Sequence, residues 1–241
     1  MKANAEKFQC LALTRGVSFP FEISVNGNNI SSCQEIKVLG VTLDEKLNFN
    51  SHISGLCKKA SRQINILKRL SKYLNQESRV SIYKSFISSN FNYCPVAWIF
   101  CGKRNSNKLE KLQERALRFV FNDRTSCYSA LLKRGNFLSL SAIRLRALAI
   151  EVYKCVKKLN PAYMNDLFEL NETPYNFRDP FKLKQLEFSN KTFGFRSFSY
   201  YGSKLWNSLP VEIKSSKTLP IFKTRITKWC HSASIDQLII Q

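Results

Sequence analysis

Acidic residues and histidines are scarce in this sequence of 241 residues, which contains 38 Lys and Arg against 17 Asp and Glu and only two His. Neither His52 nor His231 lies near a G-x-S-x-G motif, which disfavours a Ser or Cys hydrolase that depends on a histidine base. The glycine patterns that cradle nucleotide phosphates are absent as well. Asp44 and Glu45 are adjacent on a predicted strand and point to opposite faces, so they indicate a solvated turn rather than a shared metal site. The sequence alone shows no catalytic residues.

Long apolar runs are also missing. The longest nearly uncharged apolar stretch covers residues 93–101, whereas a membrane span needs roughly 20 residues. The first ten residues lack the apolar stretch of a signal peptide. We therefore expect no membrane partner and no secretion.

The cysteine spacing argues against zinc knuckles and disulfide scaffolds. The closest two of the eight cysteines, Cys94 and Cys101, are seven positions apart, so no C-x-x-C pair exists. Cys230 and His231 could bind zinc only together with distant partners. We expect no metal site, reduced and mostly buried thiols, and a location in the nucleus or the cytoplasm.

Positive charge is concentrated in the middle of the chain. Residues 51–160 contain 22 Lys and Arg against 5 Asp and Glu, whereas residues 1–50 are balanced and residues 161–241 contain 11 against 7. Such an excess is larger than solubility requires, and it repels itself unless a polyanion is nearby. Nucleic acid is the partner that this charge predicts.

The first 43 residues have the pattern of β structure. Segments 7–13, 21–25, 28–30 and 35–43 are rich in apolar and β-branched residues, and Asn26-Gly27 is typical of a two-residue hairpin turn. Together they predict a small antiparallel sheet that needs something to pack against. A glycine inside the last strand, Gly40, marks either a bulge or a close approach of another backbone or a ligand.

The period changes at His52. Apolar residues then recur every three or four positions up to Leu74, which predicts an amphipathic helix. Its basic residues lie on the opposite face or at the margins of that face: Lys58, Lys59, Arg62, Lys68, Arg69 and Lys72.

Five further helices follow by the same criteria. They are predicted to begin near Asn75, Ser106 or Asn107, Ser126, Ser139 and Thr218, and the one from Ser126 ends at Gly135. The third helix of the chain carries a basic strip of Lys111, Arg115 and Arg118. The fifth, from Ser139 to Leu159, is predicted to expose Arg144, Arg146, Lys154, Lys157 and Lys158.

These patterns predict an α+β fold that is predominantly α. A small N-terminal antiparallel β segment is followed by a basic helical bundle and a mixed C-terminal region. We divide the chain accordingly into residues 1–50, 51–160 and 161–241.

Several phrases of the sequence resemble one family when they are taken in order. They are KVLGVTLDEKLNFNSHI, CKKASRQINILKRL, FNYCPVAWIF, LEKLQERALRFVFND, YGSKLWNSLPVEIK and FKTRITKW. In this order the sequence resembles the reverse transcriptases of non-LTR retrotransposons, particularly the jockey-like group of LINE elements.

The resemblance implies a role for each of the three predicted parts of the chain. Residues 1–50 correspond to the last strands of the polymerase palm, and Leu39, Gly40 and Val41 correspond to its primer grip. Asn4 and Lys7 match the preceding motif of the family, in which the lysine can donate a proton to the leaving pyrophosphate. Residues 51–160 correspond to the thumb, and residues 161–241 to the region downstream of it.

The resemblance also implies what this chain does not contain. The fingers, most of the palm and the metal-binding aspartates would precede Met1. We therefore expect the chain to be inactive as a polymerase by itself, to carry no cofactor, and to need Mg²⁺ only as part of the complete enzyme.

A thumb-like part would bind nucleic acid. Its ligand would be a template-primer duplex, either an RNA-DNA hybrid or DNA, held through the phosphate backbone rather than the base edges. The predicted contacts are Lys58, Lys59, Arg62, Lys68, Arg69, Lys72, Arg115 and Arg118. Two alternatives stay open: a stand-alone nucleic-acid-binding module with a host role, and a helical protein-interaction module without enzymatic activity.

Overall fold

A computed structural model of the chain describes residues 8–13, 20–25, 27–171, 179–185 and 197–232. The described residues form two compact units, which divide between Leu131 and Leu132. Each unit is described by itself. The predicted fold class, α+β and predominantly α, is confirmed, and the predicted division into three parts stays a prediction.

Two antiparallel hairpins open the first unit. Strand β1 (Glu22–Val25) pairs with β2 (Asn28–Ser31), so that Val25 faces Asn28 across the predicted turn, of which Asn26 lies outside the described residues. Strand β3 (Glu35–Val38) pairs with β4 (Val41–Asp44). The single small sheet that we predicted is therefore two separate two-stranded sheets. In residues 8–13 only Cys10 pairs with another segment, through an isolated β-bridge to Ser32. The described part of the first predicted strand is therefore not a β-strand.

Gly40 lies in a hairpin turn and not inside a strand. The structure gives Leu39 a φ of 47° and Gly40 a φ of 87°, and two positive φ values in a two-residue loop are typical of a type I′ turn. Val38 pairs with Val41 directly across this turn. The continuous strand predicted for residues 35–43 was wrong at this point.

Asp44 connects the second hairpin to the first long helix. Its carboxylate accepts hydrogen bonds from the backbone N–H groups of Lys46 at 3.1 Å, Asn48 at 3.0 Å and Phe49 at 2.6 Å. Phe49 has a φ of 57°, which is unusual for a side chain of its size, and the carboxylate stabilises that backbone. The turn predicted at Asp44 and Glu45 begins at Glu45, because Asp44 is the last residue of β4.

Helices make up the rest of the first unit. They are α1 (Asn50–Leu70), α2 (Gln76–Ile82), which continues through a π-helical turn at Tyr83–Ser88 into α3 (Ser89–Phe91), and α4 (Lys103–Phe121). Asn75 caps α2 by accepting a hydrogen bond from the N–H of Ser78 at 2.8 Å, as predicted. Helix α4 begins three residues earlier than Ser106.

The core of this unit lies between α1, α4 and the π-helical turn. Ile53, Ile64 and Leu67 of α1 are fully buried, as their spacing predicted. Leu70, which the same spacing placed inward, is 42% exposed. The phenol of Tyr83 accepts a hydrogen bond from the amide of Gln113 at 2.9 Å, and burial raises the pKa of Tyr83 to about 12.

Helix α5 (Tyr128–Gly135) contains the point of division. The second unit then has α6 (Leu140–Val156), α7 (Ala162–Asn165), α8 (Phe198–Ser208), α9 (Val211–Lys214) and α10 (Leu219–Ser232). Ser139 caps α6, and the last helix begins where we predicted. Tyr153, Trp206 and Phe222 form an aromatic cluster in the core of the second unit. The rings of Tyr153 and Phe222 stack with their centroids 4.3 Å apart.

Two expectations about exposure were wrong. Arg144, predicted on the basic outer face of α6, is 2% exposed. The thiols are not mostly buried: Cys101, Cys155 and Cys230 are, whereas Cys94 and Cys127 are exposed. Among the described residues, no helix combines the length and the apolar character that crossing a bilayer requires.

Candidate nucleic-acid interface

The outer face of α1 is positively charged from Lys58 to Arg69. Helix α1 contains no Asp or Glu in its 21 residues, so no carboxylate on the helix neutralises its basic side chains. All five predicted basic residues within the helix, and the sixth just after it, are exposed: Lys58, Lys59, Arg62, Lys68, Arg69 and Lys72. A row of exposed cations of this kind suits a phosphate backbone.

A groove runs between α1 and α4, with a volume of about 620 Å³. We call it the α1–α4 groove. Five cations line it, two from α1 and three from α4: Lys58, Arg62, Lys108, Lys111 and Arg115. Ile53 and Leu112 provide its apolar lining, and the thiol of Cys57 is half-buried beside them.

The two helices are joined at the start of this groove. The amide of Asn105, in the first turn of α4, donates a hydrogen bond of 2.7 Å to the side-chain oxygen of Asn50, the first residue of α1. The contact thus joins the N-terminal ends of α1 and α4. Further along the two helices, Ala60 and Ala116 are buried in the apolar core. The sequence sets this arrangement because each helix has one apolar face with basic residues at its border.

The two acidic side chains of α4 are engaged outside the groove lining. Glu110 accepts a hydrogen bond of 2.5 Å from the hydroxyl of Tyr128. Glu114 pairs with Arg118 at 2.6 Å, and Arg118 also donates to the carbonyl oxygen of Arg124. Arg118 is therefore half-buried and partly neutralised, which weakens its prediction as a phosphate contact.

Lys68 continues the line of the α1–α4 groove. Its ammonium lies 5.9 Å from the centroid of the Phe119 ring of α4, a distance suited to a cation–π contact. Arg69 lies at the end of α1 and Lys72 just beyond it. Neither residue lines the α1–α4 groove.

A second groove, of about 540 Å³, lies on the other side of α1. We call it the turn groove, because Gly40 of the hairpin turn lines it together with Lys37, Lys59 and Tyr93. Leu39 projects from the turn with 85% of its surface exposed, and Val41 is buried behind it.

His52 also lines the turn groove. Its Nδ1 accepts a hydrogen bond from the backbone N–H of Thr42 at 3.4 Å. Burial, and then the ammonium of Lys37, lower the pKa of His52 below its usual range. The ring is therefore neutral at neutral pH, and the charge of this groove comes from Lys37 and Lys59.

The structure brings together only some of the predicted site residues. Lys58, Arg62 and Arg115 share the α1–α4 groove, whereas Lys59 shares the turn groove with Gly40. Lys7 and Asn4 lie outside the described residues. Sequence reasoning missed Lys108, which lies three positions before Lys111 and seven before Arg115, on the same side of α4. That spacing was the available signal.

Metal binding is a separate question. In the part of the chain that the structure describes, no three side chains of His, Cys, Asp or Glu converge. The expectation that Mg²⁺ is needed only in the complete polymerase stays a prediction.

Comparison with known proteins identifies the class to which the chain is similar. That class is the RNA-directed DNA polymerases of non-LTR retrotransposons, and the resemblance predicted from the sequence is confirmed. Against the RNA-directed DNA polymerase from mobile element jockey of Drosophila funebris, the chain is 29% identical over 120 residues, which are 48% of this chain and 13% of that protein. Against the jockey polymerase of Drosophila melanogaster it is 30% identical over 123 residues, 50% of this chain and 13% of the relative.

A third relative is the probable RNA-directed DNA polymerase from transposon BS of Drosophila melanogaster. The identity is 24% over 125 residues, which cover 50% of this chain and 14% of that protein. The chain thus spans only about 13% of the length of the jockey relatives that it matches. No protein-family model matches the chain, and no solved structure does.

Proposed function

We propose that this chain is the thumb-like, nucleic-acid-binding part of a retrotransposon RNA-directed DNA polymerase. The observation that carries the proposal is the exposed cationic face of α1, a helix of 21 residues without a single carboxylate. The similarity to jockey-type polymerases supports it, because those proteins are named for synthesis on a nucleic-acid template.

The ligand is a template-primer duplex, an RNA-DNA hybrid or DNA. Ammonium and guanidinium groups on α1 neutralise phosphates and release counterions, which gives affinity without sequence preference. Lys58, Lys59, Arg62 and Arg69 carry most of this contact. The hairpin turn at Leu39, Gly40 and Val41 approaches the end of the primer with its exposed tip, Leu39 and Gly40.

Synthesis requires the rest of the polymerase. The palm and fingers segment is the partner of this chain, and Mg²⁺ acts in that segment with the family's metal-binding aspartates. Lys7 serves at most as an accessory proton donor there. With nucleic acid as its ligand, the chain acts inside the cell, in the nucleus or the cytoplasm.

Charge neutralisation on α1 tests this proposal. Binding of a fluorescein-labelled RNA-DNA hybrid of 12 base pairs is measured by anisotropy for the whole chain and for K58Q/K59Q/R62Q/R69Q. We expect the variant to bind at least ten times more weakly at about 100 mM NaCl, since it removes four phosphate contacts.

The matched control removes the same charge from the second unit. Lys157, Lys217, Lys223 and Lys228 are all exposed, and K157Q/K217Q/K223Q/K228Q should bind like the unmodified chain. If both variants lose the same affinity, binding depends on net charge alone and the interface is not on α1. A protein-interaction module would show no binding of the hybrid by the unmodified chain.

A further inference from the structure

The α1–α4 groove has two cationic walls. Lys58 and Arg62 form the wall on α1, and Lys108, Lys111 and Arg115 form the wall on α4. The cationic face of α1 considered above accounts for only one of them. The second wall is made by a helix whose basic residues turn toward α1.

The charge of this groove is not neutralised by the protein. Among the described residues, no Asp or Glu lines it and no ion pair involves any of its five cations. The nearest carboxylates on α4, Glu110 and Glu114, are bonded to Tyr128 and Arg118. Five like charges around one groove repel each other, and a bound polyanion would relieve that repulsion.

The groove has the length of a short stretch of one strand. Lys108 and Arg115 are seven residues apart on α4, which is about 10.5 Å along a helix. A wall of this length can be followed by a few successive phosphates of one strand. A volume of about 620 Å³ is that of a small-ligand pocket and does not enclose two paired strands.

The lining also indicates how a strand would be recognised. Within the described residues it contains no aromatic ring on which a base could stack. Its uncharged part consists of Ile53, Leu112, the thiol of Cys57, two serine hydroxyls and one amide, which suit sugars and a backbone of any sequence. Recognition would therefore be electrostatic and independent of sequence.

The surroundings of Cys57 on α1 include Lys108 of the opposite wall. Burial raises the pKa of its thiol, and the ammonium of Lys108, on the opposite helix, acts against that rise. Both side chains line the α1–α4 groove, so Lys108 lies on the side of α4 that faces α1.

We infer that the α1–α4 groove binds a single, unpaired nucleic-acid strand through its phosphates, with Lys108 and Lys111 of α4 as contacts. This inference rests on the proposed function, because it assumes that the first unit holds nucleic acid. It adds a second ligand form, a single strand that contacts the α4 wall together with Lys58 and Arg62, the two groove cations that also contact the duplex.

Substitution of the α4 wall separates the two ligand forms. Labelled oligothymidylate of 12 nucleotides and the 12-base-pair RNA-DNA hybrid are titrated with the whole chain, with K108Q/K111Q and with the control K103Q/R104Q. Lys103 and Arg104 are exposed on the same helix but do not line the groove. We expect K108Q/K111Q to bind the single strand about tenfold more weakly at ~100 mM NaCl, with its salt slope reduced by about 1.4. Its affinity for the hybrid should change less than threefold, and the control should change neither.

Each other outcome has a definite meaning. If K108Q/K111Q loses hybrid and single strand equally, or behaves like the control, the inference is overturned while the proposed function stands. If the unmodified chain binds the hybrid but not oligothymidylate, the inference is overturned in the same way. If it binds neither, the proposed function fails as well.

A footprint on Cys57 provides a second readout without any substitution. The rate of alkylation by N-ethylmaleimide is followed by peptide mass spectrometry with and without saturating oligothymidylate. We expect the strand to slow modification of Cys57 several-fold and to leave Cys127, which is exposed and outside the groove lining, unchanged. Equal rates at Cys57 with and without the strand would place the strand elsewhere.

Discussion

The hydroxyl of Tyr93 donates a hydrogen bond to the backbone carbonyl oxygen of Leu39, a residue 54 positions earlier in the chain. This bond fastens the tip of the second hairpin to the segment that follows α3. It also places the Tyr93 ring against Gly40, where a Cβ would lie 3.4 Å from the ring. The turn that the resemblance assigns to the primer grip is thus held by a residue of the FNYCPVAWIF phrase.

Substitution of the turn glycine should destabilise the protein. Gly40 has a φ of 87°, which an L-residue adopts only with strain. We expect Gly40→Ala to lower the free energy of unfolding by about 1 kcal/mol. Urea denaturation followed by circular dichroism measures the loss.

Gly55 offers the matched control for that substitution. It lies inside α1, and a Cβ added there meets nothing within 4 Å. Alanine is the better helix former, so Gly55→Ala should stabilise the protein by up to about 1 kcal/mol. If Gly40→Ala stabilised the protein as Gly55→Ala does, the backbone of the turn would not be strained.

Close packing in the second unit gives a second prediction. A Cβ on Gly202 of α8 would lie 2.8 Å from Cγ2 of Val152 and 2.9 Å from Cζ of Phe168. We expect Gly202→Ala to cost about 1–3 kcal/mol despite its better helix propensity. Val152→Ala makes room for the new methyl group, so the double variant should lose less than the two single losses combined. Simple additivity in denaturation would contradict this contact.

The buried ammonium of Lys214 gives a third prediction. Lys214 is 1% exposed, and its Nζ lies 2.5 Å from a carboxylate oxygen of Asp179. Asp179→Asn would leave this charge without a counterion, so we expect a loss of about 3 kcal/mol in thermal or urea unfolding. In contrast, Glu169→Gln breaks an exposed pair with Lys184 and should have a much smaller effect. Similar losses for the two variants would contradict the burial of Lys214.

Asp123 gives a prediction of pH dependence. Hydrogen bonds from the N–H and then the hydroxyl of Ser126 lower its pKa from the ordinary value of 3.8 to about 2. Because the pKa is lower in the folded state, the stabilisation is complete above about pH 4 and is lost as the pH falls towards 2. The melting temperature of the unmodified protein should exceed that of Asp123→Ala at neutral pH, and the difference should shrink between pH 4 and 2. A difference that stays constant over this range would contradict the assignment.

The helices were predictable because their signals are local. The spacing of Ile53, Ile64 and Leu67 defines the buried face of α1, and Asn75 and Ser139 cap their helices as their side chains favour. The turn at Gly40 was not predictable from local pattern, since apolar residues continue on both sides of it. Its geometry depends on Tyr93, far along the chain.

Lys108, one of the three cations on the α4 wall of the α1–α4 groove, was missed for a similar reason. Lys108 becomes part of a site only when α4 lies beside α1, and that pairing depends on contacts such as Asn105 with Asn50. The basic residues of α1 needed no such knowledge, because the helix has no acidic residue to neutralise them.

The structural roles of the YGSKLWNSLPVEIK segment also depend on residues distant in the sequence. The resemblance drew attention to it, but its physical roles lie in contacts with distant residues. The indole of Trp206 donates a hydrogen bond of 2.7 Å to the carbonyl oxygen of Phe181, and the amide of Asn207 bonds both the N–H and the carbonyl oxygen of Leu183. These are structural roles that no sequence pattern indicated.

The most direct test of the central claim is the salt dependence of hybrid binding. Affinities of the unmodified chain and of K58Q/K59Q/R62Q/R69Q for the RNA-DNA hybrid are measured between about 50 and 300 mM NaCl. We expect the logarithmic slope of the variant to be shallower by about 0.9 for each lost phosphate contact, so by up to about 3.6. Identical slopes for the two proteins would show that the cations of α1 do not contact the phosphates.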